Sequence, residues 1–213
     1  MNEGSEPLPS PLSTQQHSDE SVAGEVPAAF VARARSFLAG DYLPKIERCL
    51  EELTDTDVWW RAAEESNSIG NLILHLAGNA RQWIVSGVGG AKDLRVRQRE
   101  FDEREMMPRS ELLALLRRTL AEVDDVLARL DGSLLMERRR IQGHDVTVLE
   151  AIFHVVEHFS MHTGQIILLT KMLTKKDLRF YDFSSGAPVA DWHKKRSEGS
   201  NLSERMERAR AQD

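Results

Sequence analysis

Residues 147–173 read TVLEAIFHVVEHFSMHTGQIILLTKML, and the fold follows from how that stretch is read. Thr147 stands three residues before Glu150, the spacing of a capping box in which each side chain bonds the other residue's backbone N–H. Apolar residues then recur at intervals of three and four as far as Leu173, which predicts one long amphipathic helix. Glu157, His154, His158 and His162 interrupt the apolar run, so it falls short of the ~20 apolar residues that cross a bilayer. Such a helix is expected to pack against other helices of a soluble protein.

Three more segments carry the same period. The first runs from about Pro27 to Leu53 with Phe30, Phe37, Leu38, Ile46 and Leu50 on its apolar side, and Pro44 marks a kink. Another begins after Ser68, an N-cap, and continues through Ile69, Leu72, Ile73, Leu76, Ala80, Trp83 and Ile84 to Gly87. The third starts near Ser110 and carries Leu112, Leu116, Leu120, Val123 and Leu127 before Asp131-Gly132 ends it. No segment shows a sustained strand alternation. Four amphipathic helices predict an all-α chain folded as an antiparallel four-helix bundle. The long link from Gly87 to Pro108 is then a crossover between the second and third helices. Its run of Arg95, Arg97, Arg99, Glu100, Asp102, Glu103 and Arg104 reads as a solvated, charge-paired loop. Between Leu134 and Val146 there is room for a short extended piece. Residues 1–26, rich in Ser, Pro and Glu, read as a disordered tail, residues 27–183 as the bundle and residues 184–213 as a second mobile tail.

Composition narrows the class. The chain has 213 residues, a formal charge of -6 and one cysteine, Cys49. That balance gives no general attraction to phosphate backbones or anionic lipid, so neither nucleic acid nor a membrane is the expected partner. A single cysteine closes no intramolecular disulfide, and the N-terminus has neither a basic n-region nor an apolar h-region, so a cytoplasmic location is expected. Cys49 itself reads as a small buried residue, and Trp59 and Trp60 as a plug at the end of the bundle.

The histidines carry the chemistry. Members spaced by four lie ~40° apart with a ~6 Å rise, so neighbours can converge on one ion, whereas His154 and His162 stand ~12 Å apart along the axis. One adjacent pair chelates at most, and the third imidazole must come from another element. His75 on the second helix is the candidate. It lies on a stripe with Asn71, Asn79, Gln82 and Ser86 that holds no charge, which suits a hydrated pocket between helices better than a solvated face. Two metal motifs overlap: His154-Val-Val-Glu157-His158, the inverted zinc-protease pattern, and His158-Phe-Ser-Met-His162 with His75 far upstream. The former needs an acidic ligand from well downstream, where little patterned sequence follows. Glu-x-x-His pairs of the di-iron bundles are absent around these histidines.

Asn71-Leu-Ile-Leu-His75-Leu-Ala-Gly78-Asn79 together with Phe153-His154-Val-Val-Glu157-His158-Phe-Ser-Met-His162-Thr-Gly-Gln165 resembles the DinB/YfiT-like superfamily of metal-dependent enzymes. The resemblance spans about residues 30–183. Asn67-Ser-Ile-Gly70-Asn71 and Arg95-Val-Arg97-Gln-Arg99-Glu100-Phe101 look like an uncharacterised subgroup. What the resemblance implies is an antiparallel four-helix bundle, often a homodimer, with one divalent ion on His75, His158 and His162. His154, Gln165 and Asn79 then become candidates for groups that orient the ligands or carry a proton, and Gly164 for close helix packing. The ion could be Zn, Ni or Fe, since imidazole suits each. It would activate a water for hydrolysis of a small-molecule substrate or, as in superfamily members that use low-molecular-weight thiols, a thiol for S-transfer. The rival expectation is a non-catalytic metal-binding or interaction bundle, whose structural site a fourth ligand such as His144 would close.

Overall fold

The computed structural model describes residues 14–192, with side chains from residue 25 onward. Residues 1–13 and 193–213, which make up much of the two expected tails, lie outside the described residues. The chain divides after Lys176 into two units, Met1–Lys176 and Asp177–Asp213, whereas the sequence carries the bundle on to residue 183.

The first unit is mostly helical. Helix α1 (Thr14–Arg35) continues through a π-helical stretch, Ser36–Tyr42, into α2 (Leu43–Glu51). It starts well before Pro27, so residues 14–26 are helical where a tail was expected. That part of the helix carries no apolar stripe, and a reading based on periodicity has nothing to find there. Pro44 falls in the first turn of α2, directly after the π-helical stretch, whose wider turns accommodate the ring and the missing N–H. A short α3 (Asp55–Trp59) follows, capped by Thr54 and Asp57, and then α4 (Ile69–Ala80), capped by Ser68 and Asn71. Helix α4 runs on as a π-helical stretch, Arg81–Val88, so the second expected helix exists over nearly its whole length. After the crossover, which contains a short α5 (Arg97–Asp102), come α6 (Arg109–Ala128) and a 3-10 turn, Gly132–Met136.

Residues 138–147 form the largest departure from an all-α chain. Strands β1 (Arg138–Ile141) and β2 (His144–Thr147) pair antiparallel, with Ile141 opposite His144. Gln142 and Gly143 make the turn, both at positive φ, which is the two-residue turn whose twist suits a hairpin. Four residues per strand are too few to show an alternation in sequence. The hairpin feeds directly into α7 (Val148–Thr174), whose N-cap is Thr147 with Glu150 reciprocating.

Three stripes on α7 organise the unit. Val148, Ile152, Val155, Phe159 and Ile166 are fully buried, at the spacing that keeps one face inward. Beside them runs the histidine stripe. On the outer side Phe153, Met161, Leu168 and Met172 are exposed, and Gly164 lies on that open side, with nothing near the position its Cβ would take. Gly164 therefore serves no close packing among the described residues. Helix α4 packs against both α6 and α7, and α2 against α7, around Ile46, Leu72, Leu76, Leu116 and Val123. Cys49 is buried, as expected. Trp59 is buried and its indole N–H donates to Met107 O at 2.9 Å, while Trp60 is largely exposed.

The second unit holds two short strands, β3 (Tyr181–Asp182) and β4 (Val189–Ala190), paired antiparallel. Tyr181 sits among Phe183 and Trp192 within it. No helix of the described residues is long and apolar enough to cross a membrane.

Candidate metal centre

Helix α4 presents His75 about two turns after its capped start, and α7 presents His158 and His162 on successive turns. Their ring planes stand edge to face, with centroids 4.9, 5.2 and 4.4 Å apart. The two Nε2 atoms of His75 and His158 are 2.9 Å apart. One ring nitrogen from each of the three residues falls within 4.8 Å of the others. Two nitrogens each ~2.1 Å from a common ion lie ~3 Å apart at right angles and at most ~4.2 Å apart, so a small rotation of the most distant ring closes the set. The donors fit a divalent cation.

Two of the three rings are oriented by what the other nitrogen touches. His75 Nδ1 lies 2.9 Å from Glu100 Oε2, and His162 Nδ1 lies 2.7 Å from Gln165 Oε1. A carboxylate and an amide oxygen only accept, so both Nδ1 atoms carry the proton and both Nε2 atoms keep their lone pairs. His75 Nε2 then accepts the Nε2–H of His158, and that shared proton is what a cation would displace. Burial pushes His158 down to about 3, with His162, His75 and His154 adding to the shift. Burial likewise lowers His162, against the opposing effect of Gln165. Both are therefore neutral at ordinary pH, the form a ligand must have.

His154 stands outside the cluster. Its Nε2 is 3.1 Å from the Asn79 amide nitrogen, and its ring lies between Trp83, 4.1 Å away, and His158, 5.3 Å away. Burial lowers its pKa too, so it is a neutral base one turn beyond the ligands. Of the two overlapping motifs, the structure brings together His158 and His162 with His75, and leaves out the His154 and His158 pair. Glu157 and His144 are exposed, and neither joins the cluster among the described residues.

The charged crossover does what its sequence conceals. Glu100 is buried, 9% exposed, and Arg95 grips its carboxylate through Nε to Oε1 at 2.7 Å and Nη2 to Oε2 at 2.8 Å. Burial alone would raise the Glu100 pKa, but the hydrogen bonds from Arg95 and His75 hold it below the usual carboxylate range. Arg95 also donates to Gln82 Oε1 at 2.9 Å. Asn71 anchors the segment from below: its amide nitrogen donates to Glu100 O at 2.8 Å, while its Oδ1 accepts from Arg61 at 2.6 Å. The uncharged stripe Asn71, His75, Asn79 and Gln82 is thus the floor beneath the crossover and the flank of α7. Nothing in an alternation of Arg and Glu shows which acid turns inward. The one signal is Phe101, an apolar residue in a charged run, whose ring packs 4.7 Å from His75.

Residues 26–187 match the family described as "Protein of unknown function (DUF1572)". A conserved protein from Enterococcus faecalis has a similar solved structure, 15% identical, covering 71% of this chain and 97% of its own, with a TM-score of 0.55; the likeness is one of fold alone. A DinB-like protein from Bacillus cereus aligns at 17% identity over 62% of this chain and 85% of its own, with a TM-score of 0.48. No curated protein matches the chain.

Proposed function

The chain belongs to DUF1572, an uncharacterised family related to the DinB-like superfamily that its histidine motifs resemble, and on that footing we propose that it is a divalent-metal-dependent enzyme. The observation that carries the reading is the convergence of His75, His158 and His162 with no fourth protein ligand among the described residues. A structural site is usually closed by four protein ligands, whereas three leave a position for water or substrate. A divalent ion held there supplies a Lewis acid that lowers the pKa of bound water toward ~7 or keeps a small thiol as thiolate. That chemistry suits hydrolysis or S-transfer on a small-molecule substrate in the cytoplasm. Within the chain, Glu100 and Gln165 hold two ligands in the correct tautomer. His154, whose Nε2 accepts from the Asn79 amide, is our candidate for a proton carrier beside the site once that hydrogen bond is exchanged.

Four helices packed as an antiparallel bundle and joined in pairs into a homodimer complete the reading. The exposed apolar face of α7, Phe153, Met161, Leu168 and Met172, supports the dimer.

Elemental mass spectrometry on tag-free protein tests the site. Near one ion per chain is expected, lost in His75→Ala, His158→Ala or His162→Ala and kept in His154→Ala. Loss in His154→Ala with retention in His162→Ala would select the overlapping motif instead. No ion in any variant, after reconstitution with Zn or Ni, would leave a non-catalytic interaction bundle.

A further inference from the structure

The crossover segment reaches into the centre at one point, and that point is a carboxylate on a ligand. Glu100 Oε2 is 2.9 Å from His75 Nδ1 and 2.8 Å from Arg95 Nη2, so the same oxygen is held from two sides. Arg95 Nη2 also approaches His75 Nδ1, at 3.1 Å. Both groups cannot be satisfied by that nitrogen: it either donates to the carboxylate or accepts from the guanidinium. The first choice puts a lone pair on Nε2, facing His158 and His162; the second puts a proton there. Since Arg95 Nη2 already donates to Glu100, the first leaves no group without a partner.

The segment is placed for this by residues far from it in sequence. Asn71 binds the Glu100 carbonyl and also reaches Glu103 O at 3.3 Å, where Arg61 donates at 3.0 Å. Gly78, one turn beyond His75, leaves the space the carboxylate fills: a Cβ there would run into Glu100 Oε1 and lie 2.9 Å from Arg95 Nε. Behind the pair lies a cavity of about 390 Å³ bounded by Leu74, Leu115, Arg95 and Glu100. Packing from outside therefore does not press the carboxylate onto His75. Its hydrogen bonds do.

We propose that Glu100, clamped by Arg95 and delivered by the docked crossover, is the positioning residue that makes His75 a competent metal ligand and so sets the affinity of the centre. The inference rests on the three-histidine reading above and extends it to a residue 25 positions from its ligand. In the docked state a proton of His75 sits on Nδ1, and Nε2 is turned toward His158. Undocking frees the ring to take the other tautomer or turn, and the ion loses a ligand.

The test titrates the full chain with cobalt(II), read by its visible absorption in competition with a chelator, for wild type, Glu100→Gln, Arg99→Gln and His75→Ala. Glu100→Gln is expected to bind about 10- to 100-fold more weakly, the usual effect of removing a partner of a ligating histidine. Arg99→Gln, an exposed neighbour on the same segment, should bind as wild type does. Equal affinity in Glu100→Gln, or an equal loss in Arg99→Gln, overturns the proposal. Failure of wild type to bind cobalt(II), or full binding by His75→Ala, overturns the three-histidine reading instead. The ¹⁵N shifts of the His75 imidazole in zinc-loaded wild type need no variant: a protonated Nδ1 is expected, and an unprotonated Nδ1 refutes the assignment even if Glu100→Gln does not fold.

Discussion

Replacing Gly78 by alanine should destabilise this protein, although alanine is the better helix former. Gly78 lies inside α4, where the exchange would by propensity alone add about 0.5 to 1 kcal/mol of stability. Here the new Cβ meets the Glu100 carboxylate and comes to 2.9 Å from Arg95 Nε. The carboxylate is the end of a flexible side chain, so it can swing away, and in doing so it abandons Arg95 and His75. Arg95 has a side chain only 5% exposed, and a buried charge stripped of its partner costs about 3 to 5 kcal/mol. The difference leaves a net loss of about 2 to 4 kcal/mol, or ~4 to 15 °C in melting temperature for a unit of this size. Melting of the metal-free protein followed by circular dichroism measures it, and a cobalt(II) titration of the same variant should show weakened binding. A Gly78→Ala variant that melts at or above wild type would refute the reasoning, because the carboxylate could then not occupy the place assigned to it.

Cys49 is buried and its thiol is pushed up to about 12 by that burial, so it should resist maleimide labelling at neutral pH and react fully once the chain is unfolded in guanidinium. Gly70→Ala would place a Cβ 2.9 Å from three ring atoms of Trp59; a loss of about 1 to 3 kcal/mol is expected from denaturant melts, with fluorescence showing a displaced indole. Asp124 accepts two hydrogen bonds from Arg35, at 2.6 and 2.9 Å, and these, with the guanidinium charge, hold its carboxyl below the ordinary range. Because the folded value is depressed, the contribution is present above the unfolded pKa of ~3.9 and is lost as pH falls through the lower folded value. Both side chains are more than a third exposed, so Asp124→Asn should cost at most about 1 kcal/mol near neutral pH. The gap between wild type and variant should narrow in melts as pH falls below the unfolded pKa, and a gap that stays constant with falling pH would refute the ion-pair account.

What the sequence determined by itself was local. The Thr147 and Glu150 cap, the Ser68 cap and the apolar spacing of α6 and α7 are relations across three or four residues, set by hydrogen-bond reach and helical pitch, and a linear reading finds them. The same geometry narrowed the ligands on α7 to one adjacent pair of histidines. The uncharged stripe of the second helix offered His75 as the third ligand, and the resemblance then preferred His162 to His154. The helix over residues 14–26 escaped because it has no apolar stripe, and at residues 138–147 the sequence offered an extended piece without its pairing, because the strands are too short to alternate.

Tertiary structure alone decided which groups meet. His75 and His158 are 83 residues apart and Glu100 is 25 from the histidine it serves, and no periodic pattern links elements across such distances. A charged run looks the same in sequence whether all its members face water or one carboxylate turns inward, since only a guanidinium and an imidazole placed by other segments make that burial favourable. The sequence thus specified the helices and the ligating residue type, and packing chose the pair of nitrogens, their tautomers and the carboxylate behind them.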